Sequence, residues 1–124
     1  MGANSEAVVT KNAETVRAFG RGQNEVNRSA IEGLLAEDAN FFPGAKGIKF
    51  EGRDAFLDGL FDWLNKHETG QFTVLNEFYT EDEAFNEWHF VARTRDGQDV
   101  DTHGVDYFKL RDGKIILKSS FRKM

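Results

Sequence analysis

The spacing of apolar residues in the first half of the chain predicts helices. In residues 5–21, Val9, Val16 and Phe19 recur on one face at helical spacing. Ser29-Ala30-Ile31-Glu32 matches a capping box, which predicts the start of a short second helix. Residues 53–66 repeat the helical pattern, and Gly70 ends that segment. Short strands are expected at Phe41–Phe42 and Ile48–Phe50, on either side of the Pro43–Gly47 stretch.

After Gly70 the pattern changes to the alternation typical of strands. Strands are predicted over residues 72–79, 85–94, 99–111 and 114–122, and the dipeptides Asp96-Gly97 and Asp112-Gly113 are hairpin signals between the last three. Helices followed by an antiparallel meander, without a strand–helix–strand unit, indicate the α+β class. We expect residues 1–124 to form a single domain.

Composition excludes several classes of protein. The chain has no cysteine, and its formal net charge is -5, so neither a disulfide framework nor a basic nucleic-acid-binding stripe is expected. Apolar runs are far shorter than the roughly 20 residues that span a bilayer, and the first residues do not resemble a signal peptide. We therefore expect a cytoplasmic protein with no nucleic-acid or membrane partner.

Three segments resemble the nuclear transport factor 2-like superfamily, in its SnoaL-like and ketosteroid-isomerase-like branches: Leu34–Ala39, Gly52–Phe56 and His103–Ile115. The resemblance implies N-terminal helices packed in the concave face of a strongly curved antiparallel sheet, a cone-shaped, cystatin-like roll with a ligand pocket. It also implies a homodimer formed through the outer sheet face. The superfamily contains isomerases, dehydratases, hydrolases, cyclases and non-catalytic binding proteins, so fold does not settle function.

The resemblance also suggests catalytic residues. Asp106 aligns with the carboxylic acid that donates a hydrogen bond to the oxyanion in ketosteroid isomerases. A two-residue turn at Asp96-Gly97 would pair Glu87 with Asp106 and place His89 on the same face. His89 is then the expected general base, and Asp106, influenced by Glu87, is the expected acid or hydrogen-bond donor. A three-residue turn before Lys114 would place Lys118 opposite Asp106 as well.

Simple alternation favours the opposite face for this strand. Trp88, Phe90 and Ala92 are more apolar than Glu87 and His89, which would bury the first set and expose the second. The resemblance implies the reverse, with Trp88 and Phe90 on the outer face in the contact between two subunits. We follow the resemblance here, and both arrangements stay open.

Several positions depart from the catalytic sets of known relatives. The base and the oxyanion-binding tyrosine of ketosteroid isomerases align near Phe42 and Phe19, and neither phenylalanine transfers a proton. The arginine–aspartate set of limonene-epoxide hydrolases is replaced by Glu87, His89 and Ser120. The expected ligand-binding residues are Phe19, Phe42, Phe61, Trp63, Phe108, Lys118 and Ser120.

The predicted function is that of a small-molecule pocket protein. As an enzyme it would be a cofactor-independent isomerase, dehydratase or cyclase that acts on a mostly apolar organic substrate by acid–base catalysis. The alternative is a non-catalytic ligand-binding or protein-interaction domain, which the phenylalanines at positions 19 and 42 favour. No cofactor is expected, and no metal site, because the sequence contains no dense cluster of His, Asp and Glu.

Overall fold

The computed structural model describes residues 2–123, and side chains from residue 5 onward. The helices are α1 (Gly2–Glu25), α2 (Arg28–Glu32) and α3 (Arg53–Leu64). The strands are β1 (Leu35–Phe42), β2 (Phe50–Glu51), β3 (His67–Tyr79), β4 (Glu83–Thr94), β5 (Asp99–Arg111) and β6 (Lys114–Arg122). Between residues 2 and 123, no helix combines the length and apolar character needed to cross a bilayer.

The start of α2 differs from the sequence prediction. Asn27, not Ser29, is the N-cap: its side-chain oxygen accepts a hydrogen bond from the backbone N–H of Ala30 at 3.1 Å. Asn satisfies free N–H groups at a helix start as well as Ser does. Ser29 instead donates a hydrogen bond to the same Asn27 oxygen. The short helix is present, but it begins at Arg28.

The strands form one six-stranded sheet in the order β2-β1-β6-β5-β4-β3. The meander from β3 to β6 is antiparallel, as predicted, whereas β1 runs parallel to β6. Helices α1 and α3 cover one face, which we call the inner face. There Phe19 of α1 packs edge-on against both Phe56 of α3 and Phe108 of β5. The predicted α+β fold, helices against a curved sheet, is confirmed.

The turn between β4 and β5 has three residues, not the expected two. The N–H of Thr94 donates to the carbonyl of Gln98 at 2.8 Å, and Gly97 adopts a φ of 91°, a left-handed conformation that glycine favours. Asp106 therefore lies opposite Asn86, and the expected pairing of Glu87 with Asp106 is wrong. A slip of one residue moves every side chain of a strand to the other face.

The turn between β5 and β6 also differs from the expectation. Arg111 pairs with Lys114 across a two-residue turn, and a bulge follows at Lys109 and Leu110. Asp106 consequently lies opposite Ser120, while Lys118 lies opposite Phe108. The expected pairing of Lys118 with Asp106 is wrong by two residues. Because a shift of two preserves the face, Lys118 still shares the face of Asp106.

Trp88, Phe90 and Ala92 are buried on the inner face, at 5%, 2% and 6% exposure. Phe72 of β3 stacks on Phe90, and Trp63 of α3 packs against the same ring. The expectation that Trp88 and Phe90 form a subunit contact is therefore wrong. The alternation of the sequence had indicated the observed arrangement, because burying the more apolar side of a strand against helices removes more apolar surface from water.

Candidate functional site

A cavity of about 1160 Å³, the main cavity, lies between the inner face of the sheet, α3 and residues 43–49. Ligand pockets usually measure about 300–1,000 Å³, so it has room for an organic molecule with water. Its wall is largely apolar and aromatic, and the aromatic residues that line it are Phe41, Phe42, Phe50, Trp63, Phe72, Trp88, Phe90 and Phe121.

Three buried polar side chains, Asp106, Lys118 and Ser120, form a polar cluster in this wall. Their exposures are 4%, 4% and 8%. The Nζ atom of Lys118 donates a hydrogen bond to Oγ of Ser120 at 2.8 Å and lies 3.5 Å from Oδ2 of Asp106. Neighbouring strands β5 and β6 hold all three, so the sheet backbone fixes the arrangement.

The environment of Lys118 opposes its positive charge. Burial lowers the pKa of Lys118 below its usual value, and the neighbouring Asp106 carboxylate counteracts this in part. A cation–π contact with Phe41 partly compensates for the lost hydration, since Nζ of Lys118 lies 4.7 Å from the centroid of that ring. A lysine in such surroundings is suited to proton transfer and to hydrogen bonding with an oxyanion.

Several buried polar atoms beside the polar cluster lack a protein partner. Among residues 2–123, Oδ1 of Asp106, Nε1 of Trp88 and Oδ1 of Asn86 form no hydrogen bond. Asn86 lies directly opposite Asp106, and Trp88 is the next inner-face residue along β4. Unsatisfied buried groups cost free energy, and a bound molecule can supply the missing partners.

A smaller cavity of about 310 Å³ lies between α1 and the sheet. Phe19, Phe108 and Asn86 line it, whereas Asp106 and Trp88 line both cavities. The Asp106 carboxylate therefore lies at the boundary between the two spaces.

Gly104 determines where the indole of Trp88 lies. It is paired with Trp88 across the strands, and a Cβ atom on Gly104 would lie only 2.4 Å from the indole carbon Cζ2. The indole thus lies directly over the glycine backbone. This close approach brings the ring to the cavity wall beside Asp106.

The structure brings together most of the predicted ligand-binding residues. Phe42, Trp63, Lys118 and Ser120 line the main cavity, and Phe19 and Phe108 line the smaller one. Phe61 is the exception. It is 5% exposed and belongs to the hydrophobic core instead of lining either cavity.

Glu87 and His89 lie on the outer face, away from the main cavity. The carboxylate of Glu87 accepts a hydrogen bond from the side-chain amide of Asn76, and Glu87 pairs with Val105. The ring of His89 contacts Asp101, with Nε2 to Oδ1 at 2.6 Å. The expectation that these two side chains share a pocket with Asp106 is wrong, because the three-residue turn reverses their face.

Sequence reasoning missed Trp88, Phe90 and Phe72 as cavity residues. The signal for the first two was present, since they lie on the more apolar side of β4. Phe72 reaches the cavity because its strand pairs it with Phe90. That placement depends on the register between β3 and β4.

The charges around the main cavity are mainly positive, although the whole chain carries -5. The charged lining residues are Lys49, Lys66, Lys118, Arg122, Asp62 and Asp106. Arg122 is placed over the ring of Trp63, with Cζ 5.0 Å from the centroid. Such a wall favours an electron-rich or anionic group on the ligand.

A group of residues that could hold a metal ion lies on the outer face, away from the main cavity. Its lining includes no histidine, and the chain has no cysteine. On the outer face, however, one ligand atom from each of His89, Asp101 and His103 lies within 4.8 Å of the others. The sequence itself contains no dense cluster of these residue types, and the three residues meet only because β4 and β5 are paired.

Comparison with known proteins agrees with this architecture. No curated protein matches the chain. Bal32a, from a soil-derived mobile gene cassette, has a TM-score of 0.83 at 19% identity, covering 93% of this chain and 91% of Bal32a. TerC co-crystallised with polyporic acid has a TM-score of 0.80 at 13% identity, covering 91% of this chain and 92% of TerC. An LEH-like epoxide hydrolase of M. tuberculosis has a TM-score of 0.80 at 13% identity, covering 93% of this chain and 84% of the hydrolase.

These identities are low, so the three structures establish the fold alone. The family model described as the SnoaL-like domain matches residues 16–117, which is most of the chain. The matched range includes α3, β1 to β5 and Asp106, and it ends just before Lys118 and Ser120. The resemblance seen in the sequence is confirmed. This chain belongs to the SnoaL-like domain family.

Proposed function

We propose that this protein binds a mostly apolar organic molecule in the main cavity and transfers a proton on it without a cofactor. The observation that carries the proposal is the Oδ1 atom of Asp106, which is buried, has no partner among residues 2–123 and borders both cavities. A carboxylate oxygen in that situation is an available proton acceptor.

The polar cluster supplies complementary roles. Asp106 accepts a proton from a carbon next to a carbonyl group of the ligand. Lys118, 3.5 Å from the same carboxylate, donates a hydrogen bond to the oxygen that becomes negative. Return of the proton from Asp106 to another carbon completes an isomerisation. Transfer of that proton to a departing hydroxide, which leaves as water, completes a dehydration. Attack of the enolate carbon on a second carbonyl, whose oxygen takes the proton, closes a ring.

The remainder of the wall supports an aromatic ligand with a carbonyl or acidic group. Aromatic side chains surround most of the space, and aromatic rings favour stacked or edge-on contacts with one another. Lys118 and Arg122 place positive charge at the same wall. Among proteins of similar fold, TerC was co-crystallised with polyporic acid, which agrees with a ligand of acidic character.

The proposal is tested with 2-tetralone, an aromatic ketone with acidic C–H groups beside its carbonyl. The chain has two tryptophans and both line the main cavity, so intrinsic fluorescence reports binding. NMR in D₂O then measures exchange of the ketone's C–H protons for deuterium. We expect binding, and exchange well above the rate in buffer.

Asp106→Asn is the decisive variant, because it keeps the shape of the side chain and removes the base. We expect it to lower exchange by about 100-fold or more while 2-tetralone still binds. Binding without exchange in the wild type would reject proton transfer and support the non-catalytic alternative. Absence of binding by this and other aromatic ketones would reject the proposal as a whole.

We also propose a homodimer through the outer sheet face, formed by other residues than expected. Phe85, Val105 and Phe121 are 44%, 37% and 60% exposed there, and Val105 pairs with Phe121. A partner subunit would remove this apolar surface from water. Light scattering should give twice the chain mass of 14.1 kDa, and Val105→Asp, at a position that lines neither cavity, should shift the measured mass toward that of one chain. A wild-type monomer at all concentrations would reject the dimer.

A further inference from the structure

Two histidines and an aspartate meet on the outer face of the sheet, and we call them the outer-face cluster: His89, Asp101 and His103. Residues two apart on a strand point to the same side, so Asp101 and His103 on β5 share a face. His89 on β4 is paired directly with His103. The same register that removes His89 from the cavity therefore creates this cluster.

The side chains are already close to one another. The imidazole rings of His89 and His103 are parallel, with centroids 4.2 Å apart and an interplanar angle of 2°. Nε2 of His89 lies 2.6 Å from Oδ1 of Asp101, and one ligand atom of each of the three residues lies within 4.8 Å of the others.

We propose that the outer-face cluster binds one Zn²⁺ ion through two imidazole nitrogens and one carboxylate oxygen. Bonds of about 2.0–2.1 Å around tetrahedral zinc separate neighbouring ligand atoms by about 3.3 Å. The Nε2–Oδ1 separation of 2.6 Å must therefore widen, and the parallel imidazole rings must turn so that one nitrogen of each faces the same ion. In the single chain the Asp101 side chain is 70% exposed and has room to turn toward an ion, whereas His89, at 32%, is held largely by its neighbours.

The donor set selects the class of metal. Imidazole nitrogen suits zinc and other first-row transition metals, whereas Mg²⁺ and Ca²⁺ prefer shells made of oxygen. Three protein ligands leave a fourth zinc position, which water or a group from another molecule occupies.

The scaffold favours a defined site. Strands β4 and β5 pair without interruption from Glu83–Lys109 to Arg93–Asp99, and continuous pairing fixes the positions of the three Cα atoms. The nearest acidic residue on the same face of β5, Asp99, is 2.8 Å from Nη1 of Arg93. That ion pair occupies Asp99 and makes it a suitable control.

The test is calorimetric titration of EDTA-treated, dialysed wild-type protein with ZnCl₂ at pH 7.5. We expect one ion per chain with a dissociation constant of about 10 µM or tighter, and no binding of MgCl₂ at the same concentrations. His89→Ala and His103→Ala should each weaken zinc binding more than about tenfold, and Asp101→Asn should weaken it less. Asp99→Asn should leave it within twofold. Circular dichroism checks that each variant is folded.

Replacing zinc with Co²⁺ gives an independent readout. Tetrahedral cobalt with nitrogen and oxygen ligands absorbs in the visible range, and this absorption should be lost in His89→Ala and retained in Asp99→Asn. The proposal is overturned by wild-type zinc binding weaker than about 1 mM, or by folded His89→Ala and His103→Ala proteins that bind zinc as the wild type does. The proposal would also be overturned if Asp99→Asn weakened zinc binding as much as the two histidine variants do.

Discussion

The ammonium nitrogen of Lys118 lies 3.5 Å from Oδ2 of Asp106, and both side chains are only 5% exposed. Removing two charges from water costs several kcal/mol per ion, and their mutual attraction offsets this only with good geometry and further hydrogen bonds. Here one carboxylate oxygen lies next to the ammonium group and the other has no partner among residues 2–123. The pair is therefore incomplete at the cavity wall, as a site that receives a ligand would be.

Replacing one member of this pair should destabilise the protein strongly. Lys118→Met keeps most of the side-chain volume but leaves the Asp106 carboxylate buried without its cation. We expect the free energy of unfolding to fall by about 3 kcal/mol, as measured by urea denaturation. The double variant Asp106→Asn with Lys118→Met should be more stable than the sum of the two single effects predicts. Additive effects would mean that the two groups do not interact.

Stability should also depend on pH through Lys118. Because burial lowers the pKa of Lys118 below 10.5, folded Lys118 loses its proton at a lower pH than the unfolded chain does. Between those two values the unfolded state binds more protons, so stability rises with pH. The difference in unfolding free energy, wild type minus Lys118→Met, should increase from pH 7 toward pH 10.5. A constant or decreasing difference would contradict this.

Gly104 is expected to tolerate no side chain. A Cβ atom there would lie 2.4 Å from the Trp88 indole and 2.6 Å from the carbonyl oxygen of Phe121. Gly104→Ala should therefore displace Trp88, lower stability by about 1–3 kcal/mol and change the tryptophan fluorescence.

Gly20→Ala is the matched control for this change. Gly20 lies within α1, and a Cβ atom there meets nothing within 4 Å. Alanine is favoured over glycine in helices by about 0.5–1 kcal/mol, so this variant should be slightly more stable. Equal effects of the two alanines would show that the contact with Trp88 is unimportant.

Glu87→Gln tests the reassignment of β4. Glu87 lies on the outer face and its carboxylate is bonded to Asn76, so removal of its charge should leave deuterium exchange of 2-tetralone within about twofold of wild type. Asp106→Asn should abolish most of that exchange. A large loss of exchange in Glu87→Gln would indicate that the substrate binds at the outer face of the sheet instead of in the main cavity.

The sequence by itself determined the class of fold and the order of its elements. Phe56, Leu60 and Leu64 recur at helical spacing in α3, and glycine-containing turns mark the ends of the strands. Such signals are local, because each depends on residues within a few positions of one another. Asp106, Lys118 and Ser120 were also predicted on one side, since residues two apart on a strand, such as Lys118 and Ser120, share a face.

The tertiary structure alone decided which residues meet across strands. The dipeptide Asp96-Gly97 is compatible with turns of two or three residues, and the observed three-residue turn moved Glu87 and His89 out of the cavity. It also placed His89 beside His103, a neighbour 14 positions away. Register depends on hydrogen bonds and packing across the whole sheet, and a difference of one residue reverses a face. The apolar side of β4 indicated which of its faces is buried, but no pattern within one strand specifies which residues of the next strand lie opposite.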